Sequence, residues 1–135
     1  MKHKKGLLKQ KDSMLFIPVA AGDLVDRITI LEIKQQQFHG QALKHVTQEL
    51  ELLVSICQQA DLSFRPGLRD ELKAVNAELW NVEEAIRRCE KDGNFGQGFV
   101  QLARSVYTLN DRRAELKRAI NLESGSQLVE EKSYG

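Results

Sequence analysis

Cysteine, proline and aromatic residues are scarce in this sequence. Its 135 residues include 2 cysteines and 2 prolines, and aromatic residues make up 6% of the chain. Two cysteines are too few for a disulfide framework. Because Cys57 and Cys89 both fall at apolar positions of predicted helices, we interpret them as free core thiols in a reducing compartment. No stretch approaches the roughly 20 apolar residues that a membrane span needs. We therefore expect a soluble, cytoplasmic protein without membrane insertion.

The sequence also lacks the residue combinations that metal, phosphate and nucleophile sites require. His3, His39 and His45 share no ligand spacing, and no cysteine or carboxylate pair completes a set with them. The glycines near residue 96 follow no predicted strand, so a turn explains them better than a phosphate-binding loop does. Ser105 has no histidine within helical reach, which excludes a catalytic triad built on that helix. We assign no metal, no cofactor and no catalytic residue, and we leave open whether the protein is an enzyme.

Basic charge is concentrated at the N-terminus. The whole chain has a formal net charge of +1, but residues 1–11 hold five lysines and no acidic residue. We predict that residues 1–13 form a basic disordered tail and that residues 14–135 form a single helical domain. A short basic tail can touch nucleic acid or anionic lipid, although such a tail is more often simply solvated. We therefore do not expect nucleic-acid binding.

Apolar residues at helical spacing predict four helices, over residues 23–38, 41 or 42–60, 66–90 and 99–122. The first has apolar residues on two faces, with Leu24 and Ile28 on one and Ile30 and Ile33 on the other, so we expect it to be central. The broad apolar face of the second suggests contact with two neighbouring helices. The third alternates apolar spacings of four and three, as in a coiled-coil seam. The predicted class is all-α, an antiparallel four-helix bundle.

The segments that flank these helices are also predicted to pack on the bundle. Residues 14–19 are apolar and contain Pro18, which favours an extended approach to the first helix. We expect Phe16 and Ile17 to pack on the bundle. Gly40 is expected to end the first helix by occupying its C′ position. Residues 127–135 include Leu128 and Val129, and we expect this tail to fold back.

The second half of the last helix is unusual because cations share its apolar face. Arg113 and Lys117 interleave there with Leu116 and Ile120. An unpaired buried charge costs several kcal/mol, so these cations need an anion or a ligand. One interpretation is an ionic and amide network that fixes helix register, with Arg113 paired to a carboxylate. The other is a pocket for a small anionic ligand, for which the candidate residues are Arg27, Lys34, Asn76, Trp80, Glu83, Asn110, Arg113 and Lys117.

Four separated blocks of the sequence occur in a characteristic order: DRITILEIK, LWNVEEAIRR, LARSVYTLNDRRAELKRAIN and LVEEKSY. In these blocks the chain resembles a family of small bacterial proteins that is classed as a domain of unknown function. The resemblance covers about residues 14–134, which is nearly everything except the basic tail. It implies a compact helical domain and no assigned activity.

Two functions from different classes fit these observations. We favour a non-enzymatic module that binds a protein partner or self-associates, for instance as a homodimer, because several apolar residues lie outside the main helix seams. They are Ile30, Ile33, Leu52 and Ile56. The alternative is a helical binder or enzyme for a small anionic metabolite, which would use the inward arginine, lysine and asparagine cluster.

Overall fold

The computed structural model describes residues 13–126, which form four helices. These are α1 (Ala21–Gln37), α2 (Gly40–Ala60), α3 (Pro66–Asp92) and α4 (Gln97–Ser124). Within residues 13–126 there is no strand, and none of the four helices is long and apolar enough to cross a membrane. The predicted all-α class is confirmed, and each observed helix end lies within two residues of its predicted position.

The helix ends follow from local chemistry. Pro66 is the first residue of α3, a position where its missing N–H needs no partner. Helices α3 and α4 end at Gly93 and Gly125, both with positive φ, which glycine adopts without steric cost. Gly40 has a positive φ of 60°, but it is the first residue of α2, so the prediction that it ends α1 is wrong. Helix α1 stops earlier because Phe38 is extended and its ring contacts Trp80 of α3, with ring centroids 6.2 Å apart.

Helix α1 is the centre of the molecule. It packs against all three other helices, whereas α2 packs only against α1. One face of α1, with Ala21 and Val25, belongs to a core shared with α3 and α4. Its other face, with Leu24, Ile28 and Leu31, packs against α2. The predicted central position of α1 is therefore confirmed.

Among the four described helices, α2 has one neighbour, α1, which corrects the prediction of two. Val46 and Leu50 are buried against α1. Leu52 and Ile56, which broaden the apolar face of α2, keep 43% and 40% of their surface exposed. The apolar face is as broad as its sequence indicates, but part of it meets no other helix. Cys57 of α2 and Cys89 of α3 are half-buried free thiols.

Residues 15–17 in the segment before α1 are largely exposed. Phe16 and Ile17 are 73% and 79% exposed, so the prediction that they contact the bundle is wrong. The other helices already cover both apolar faces of α1, and the core is complete without these two side chains. The chain becomes buried only at Ala20, immediately before α1. The predicted basic tail (apart from Ser13) and the predicted C-terminal tail lie outside the described residues.

Candidate functional site

A buried carboxylate, Asp26, lies where α1, α3 and α4 meet. The residue is only 6% exposed. Arg113 of α4 donates two hydrogen bonds to it, from Nε to Oδ1 at 2.9 Å and from Nη2 to Oδ2 at 2.6 Å. Two-pronged bonding between a guanidinium and a carboxylate combines charge with fixed geometry. The inward-facing cation of α4 thus has its anion on α1, as the network interpretation predicts.

Asn76 of α3 extends this pair into a network of three helices. Its Nδ2 donates to Asp26 Oδ1 and to Thr29 Oγ1, both at 2.9 Å. The Thr29 hydroxyl donates in turn to the main-chain oxygen of Asp26 at 2.8 Å. Thr29 and Asn76 are both buried, and buried polar groups are stable only when they are hydrogen-bonded. The network therefore sets the register of α1 against α3 and α4.

The charge state of Asp26 follows from this environment. Burial alone would raise the pKa of the Asp26 carboxyl group. Hydrogen bonds from Arg113 and Asn76, together with the positive charges of Arg113 and Lys117, outweigh burial and hold that pKa below its usual value of 3.8. Asp26 is therefore ionised at neutral pH. It serves as a fixed anion there, not as a proton donor.

A second close contact joins the start of α1 to α4. The Gly22 N–H donates to Asn121 Oδ1 at 2.6 Å, and Asn121 is buried. A Cβ atom at residue 22 would lie 2.4 Å from the main-chain oxygen of Lys117. Glycine is required here because the two backbones approach so closely. The side chain of Lys117 forms an ion pair with Asp23 at 2.9 Å.

A cavity of about 450 Å³ lies beside the buried network. Its apolar lining comes from α1, α3 and the residue after α1: Ile30, Ile33, Phe38, Leu79 and Trp80. Its polar lining consists of Asn76, Glu83, Glu84, Arg87 and Arg113. Small-molecule sites have volumes of about 300–1,000 Å³ and a similar mixture of apolar walls and a few polar groups. The structure thus brings together four of the predicted site residues on one cavity: Asn76, Trp80, Glu83 and Arg113.

The other four predicted site residues do not line this cavity. Asn110 lies three residues before Arg113 and accepts a hydrogen bond from its Nη1 at 3.4 Å. Lys117 faces Asp23, as described above. Arg27 faces away, since it forms an exposed pair with Glu49 of α2 at 2.5 Å. Lys34 is half-buried near the end of α1.

Sequence reasoning misses Asp26 and Thr29, the two α1 residues at the heart of the network. From the sequence, the place of Asp26 in the first turn is explained by its interaction with the helix dipole. The signal that could have found both residues is the two-sided apolar pattern of α1. A helix covered on two faces also buries the strip between them, and that strip contains Asp26 and Thr29. Glu32, farther along α1, pairs with Arg69 at 2.7 Å and with Lys73 at 3.4 Å.

Comparison with known proteins gives a family but no activity. The model of a Family of unknown function (DUF6165) matches residues 15–135, so it covers all four helices and the buried network. No curated protein and no solved structure matches the chain. Within residues 13–126, no group of three or more histidine, cysteine or acidic side chains is placed to hold a metal ion.

Proposed function

Since this chain belongs to the Family of unknown function (DUF6165), which assigns no activity, we propose a function from its surface: a non-enzymatic interaction module that self-associates. The observation that carries the proposal is a set of exposed apolar side chains at the start of α1 and on α2. We call it the apolar surface, and it consists of Leu15, Phe16, Ile17, Val19, Leu52 and Ile56. Contiguous exposed apolar surface of this kind marks interaction sites in soluble proteins.

The apolar surface favours a second copy of the chain as its partner. Val19 and Ile56 line the same groove, so the segment before α1 and the outer face of α2 are contiguous there. Residues 14–19 contain no charged side chain, so the surface offers nothing for an oppositely charged partner to recognise. In a twofold dimer the same patch is used by both copies, which suits an uncharged apolar patch.

The test is the oligomeric state of the full chain, measured by light scattering and sedimentation from low to high micromolar concentration. We expect a concentration-dependent dimer. Phe16→Asp, which changes an exposed residue outside the helices, is expected to weaken the dimer at least about tenfold, because burying a lone carboxylate in an apolar interface is costly. Tyr107→Asp is the matched control, since Tyr107 is an exposed apolar residue on α4. A native chain that stays monomeric at high micromolar concentration would overturn the proposal.

We also propose that α3 and α4 run antiparallel, as a hairpin. Two ion pairs support this direction: Arg65 with Glu123, and Glu71 with Arg112, both at 2.9 Å. Residue numbers rise along α3 while those of the partners fall along α4. Glu71→Arg is expected to lower the stability measured by urea unfolding, and adding Arg112→Glu should restore part of it. An absence of rescue would count against the pairing.

Free half-buried thiols at Cys57 and Cys89 support a cytoplasmic location.

A second candidate function is the binding of a small anionic ligand with an apolar body in the cavity beside Trp80. The convergence of Asn76, Trp80, Glu83 and Arg113 on that cavity favours it. Since Asp26 already balances the charge of Arg113, the cation that would attract the ligand is Arg87, an exposed residue of the lining. The apolar wall would accommodate the body of the ligand.

The single tryptophan provides a direct readout for this second function. Trp80 is the only tryptophan in the chain and lines the cavity, so its fluorescence should change when a ligand binds. The experiment titrates a panel of small carboxylates and phosphates and follows Trp80 emission. Arg87→Gln is expected to weaken any binding at least about fivefold, whereas Arg104→Gln, at an exposed residue that does not line the cavity, should leave it unchanged. If no anion in the panel alters the emission, the second function is wrong.

A further inference from the structure

A second groove, of about 240 Å³, lies at the opposite end of α1 from Trp80. We call it the C-terminal groove. Its apolar lining comes from the start of α1, the end of α2 and the linker after α2. Ser124, the last residue of α4, and Ser126, two residues after it, complete the lining. The lining residues are Val19, Ala20, Ala21, Leu24, Ile56, Ala60, Leu62, Ser124 and Ser126. An apolar groove of this kind favours an aliphatic occupant over a charged one.

The last described residue forms part of this groove. Helix α4 ends at Gly125, which has φ of 73°. The N–H of Ser126 then donates to the main-chain oxygen of Asn121 at 2.9 Å, which closes the helix in the way a Schellman motif does. Because Ser126 itself lines the groove, the chain leaves α4 at the wall of the groove.

We propose that the C-terminal groove is the docking site of the chain's own residues 127–129, with Leu128 and Val129 inserted into it. At about 3.3–3.6 Å per residue, Leu128 lies within about 7 Å of Ser126 and Val129 within about 11 Å. The side chains of Leu128 and Val129 contain seven carbon atoms. At about 30 Å³ each, roughly the volume of a water molecule, these need about 210 Å³. The groove has room for them.

The neighbouring sequence selects these two residues as the occupant. Glu130, Glu131 and Lys132 follow directly, and their charges would be costly in an apolar groove. The other nearby apolar segment enters the groove wall at Val19, but its residues Leu15 and Phe16 remain exposed. That segment therefore does not fill the groove, which stays available to residues 127–129. The inference does not rest on self-association, because it concerns a single copy of the chain.

Docking of residues 127–129 also has a consequence for the apolar surface. Val19 and Ile56 belong both to that surface and to the C-terminal groove. A docked Leu128–Val129 pair would cover part of what a second copy is proposed to bind. The chain's own C-terminal segment then competes with the second copy, so its removal should strengthen any association.

The test compares two double variants of the full chain by thermal unfolding at low micromolar concentration. Leu128→Ser with Val129→Ser is expected to lower the Tm by about 3–6 °C, since the groove loses its apolar occupant. Glu130→Ser with Glu131→Ser, two positions farther on, is the matched control and should leave the Tm within about 1 °C. Neither variant alters a residue of the four helices, so both are expected to fold.

Two further measurements decide whether the contact is within one copy. In a double-mutant cycle, Ile56→Ala should lower the Tm less when Leu128 and Val129 are already serine, because the two sites are in contact. The Tm difference should also not grow as protein concentration increases. Equal Tm values for the native chain and the Leu128–Val129 variant would overturn the proposal, as would a difference that grows with concentration, which would indicate docking on a second copy. Both readouts remain decisive if self-association occurs: stronger association of the variant would raise its Tm and shrink the difference at high concentration, whereas docking on a second copy would enlarge it.

Discussion

Two arginine–carboxylate pairs in this protein have similar chemistry but different surroundings. Arg113 donates from Nε and Nη2 to the buried Asp26, and Arg27 donates from the same two atoms to Glu49 on the surface. The side chain of Asp26 is 8% exposed, whereas that of Glu49 is 38% exposed. Removing one partner of a buried pair leaves the other charge without compensation, and this is far more costly than the loss of an exposed pair.

This difference gives a prediction for two matched substitutions of a carboxylate by an amide. Asp26→Asn is expected to lower the free energy of unfolding by about 3 kcal/mol. That value is at the low end for buried pairs because the side chain of Arg113 remains 29% exposed. Glu49→Gln should cost under about 1 kcal/mol. Urea unfolding of both variants measures the difference, and equal losses would show that Asp26 does not hold the three helices together.

Gly22 provides a second residue-level prediction. Gly22→Ala would place a Cβ atom 2.4 Å from the main-chain oxygen of Lys117. Helix α1 would have to move away from α4, at a cost of about 1–3 kcal/mol. Gly67→Ala is the control, because a Cβ atom at residue 67 would have no heavy atom within 4 Å beyond its own stretch of helix, and alanine in a helix is neutral or stabilising there by up to about 1 kcal/mol. Urea midpoints compare the two, and an unchanged midpoint for Gly22→Ala would rule out the close approach.

At the level of elements, the attachment of α2 differs from that of the other helices. Within residues 13–126, α2 packs on α1 and on no other helix, whereas α1, α3 and α4 share one core and the buried network. Segments with few packing partners open at lower free energy than the core does. We expect amide hydrogen exchange around Val46 and Leu50 to be faster than exchange around Leu72 of α3. Identical protection in α2 and α3 would mean that the four helices open as one unit.

The success of the sequence-based predictions depends on how many neighbours each element has. The two-sided apolar pattern of α1 predicts its central position, because apolar residues on opposite faces need two partners. The same reasoning fails for Leu52 and Ile56 on α2, because a broad apolar face indicates that a packing partner is needed but does not identify that partner. It fails for Phe16 and Ile17 for the same reason.

For the candidate site, helical phase predicts that Arg113 faces inward, and the structure confirms a carboxylate partner. The identity of that partner could not be obtained from the sequence. Asp26 and Arg113 are 87 residues apart, and periodicity within one helix carries no information about which turn of another helix lies opposite. Arg27 illustrates this limit: the sequence makes it a candidate for the site, whereas in the structure it pairs with Glu49 of α2.

At the scale of the whole molecule, Asp26 makes the stability of the fold depend on pH. The pKa of Asp26 in the folded protein lies below the usual value of 3.8. The unfolded chain therefore binds a proton at Asp26 more readily than the folded protein does. The contribution of Asp26 to stability is complete above the unfolded pKa and is lost as the pH falls through the folded pKa. The exposed Glu123, whose pKa is lowered by hydrogen bonds from the Arg65 amide and guanidinium, follows the same direction.

The corresponding prediction concerns the pH profile of the native chain and of Asp26→Asn. The native chain is expected to lose stability from about pH 5 downward. The free energy of unfolding of the variant should be lower at pH 7 and should decrease less steeply with falling pH, so that the two curves approach each other at about pH 3. Urea midpoints at four values between about pH 3 and about pH 7 provide the comparison. Parallel curves over this range would mean that acid sensitivity arises from other carboxylates.

The distance along the chain between Asp26 and Arg113 also matters while the protein is being made. At about 5–20 residues per second, the separation of 87 residues takes roughly 4–17 seconds to synthesise. During that interval α2, which follows α1 after only two residues, can already cover one face of α1. The other face of α1 can be covered only after α3 and α4 have been synthesised. Until Arg113 has been synthesised, the Asp26 carboxylate on that face has no guanidinium partner and would favour contact with water over burial.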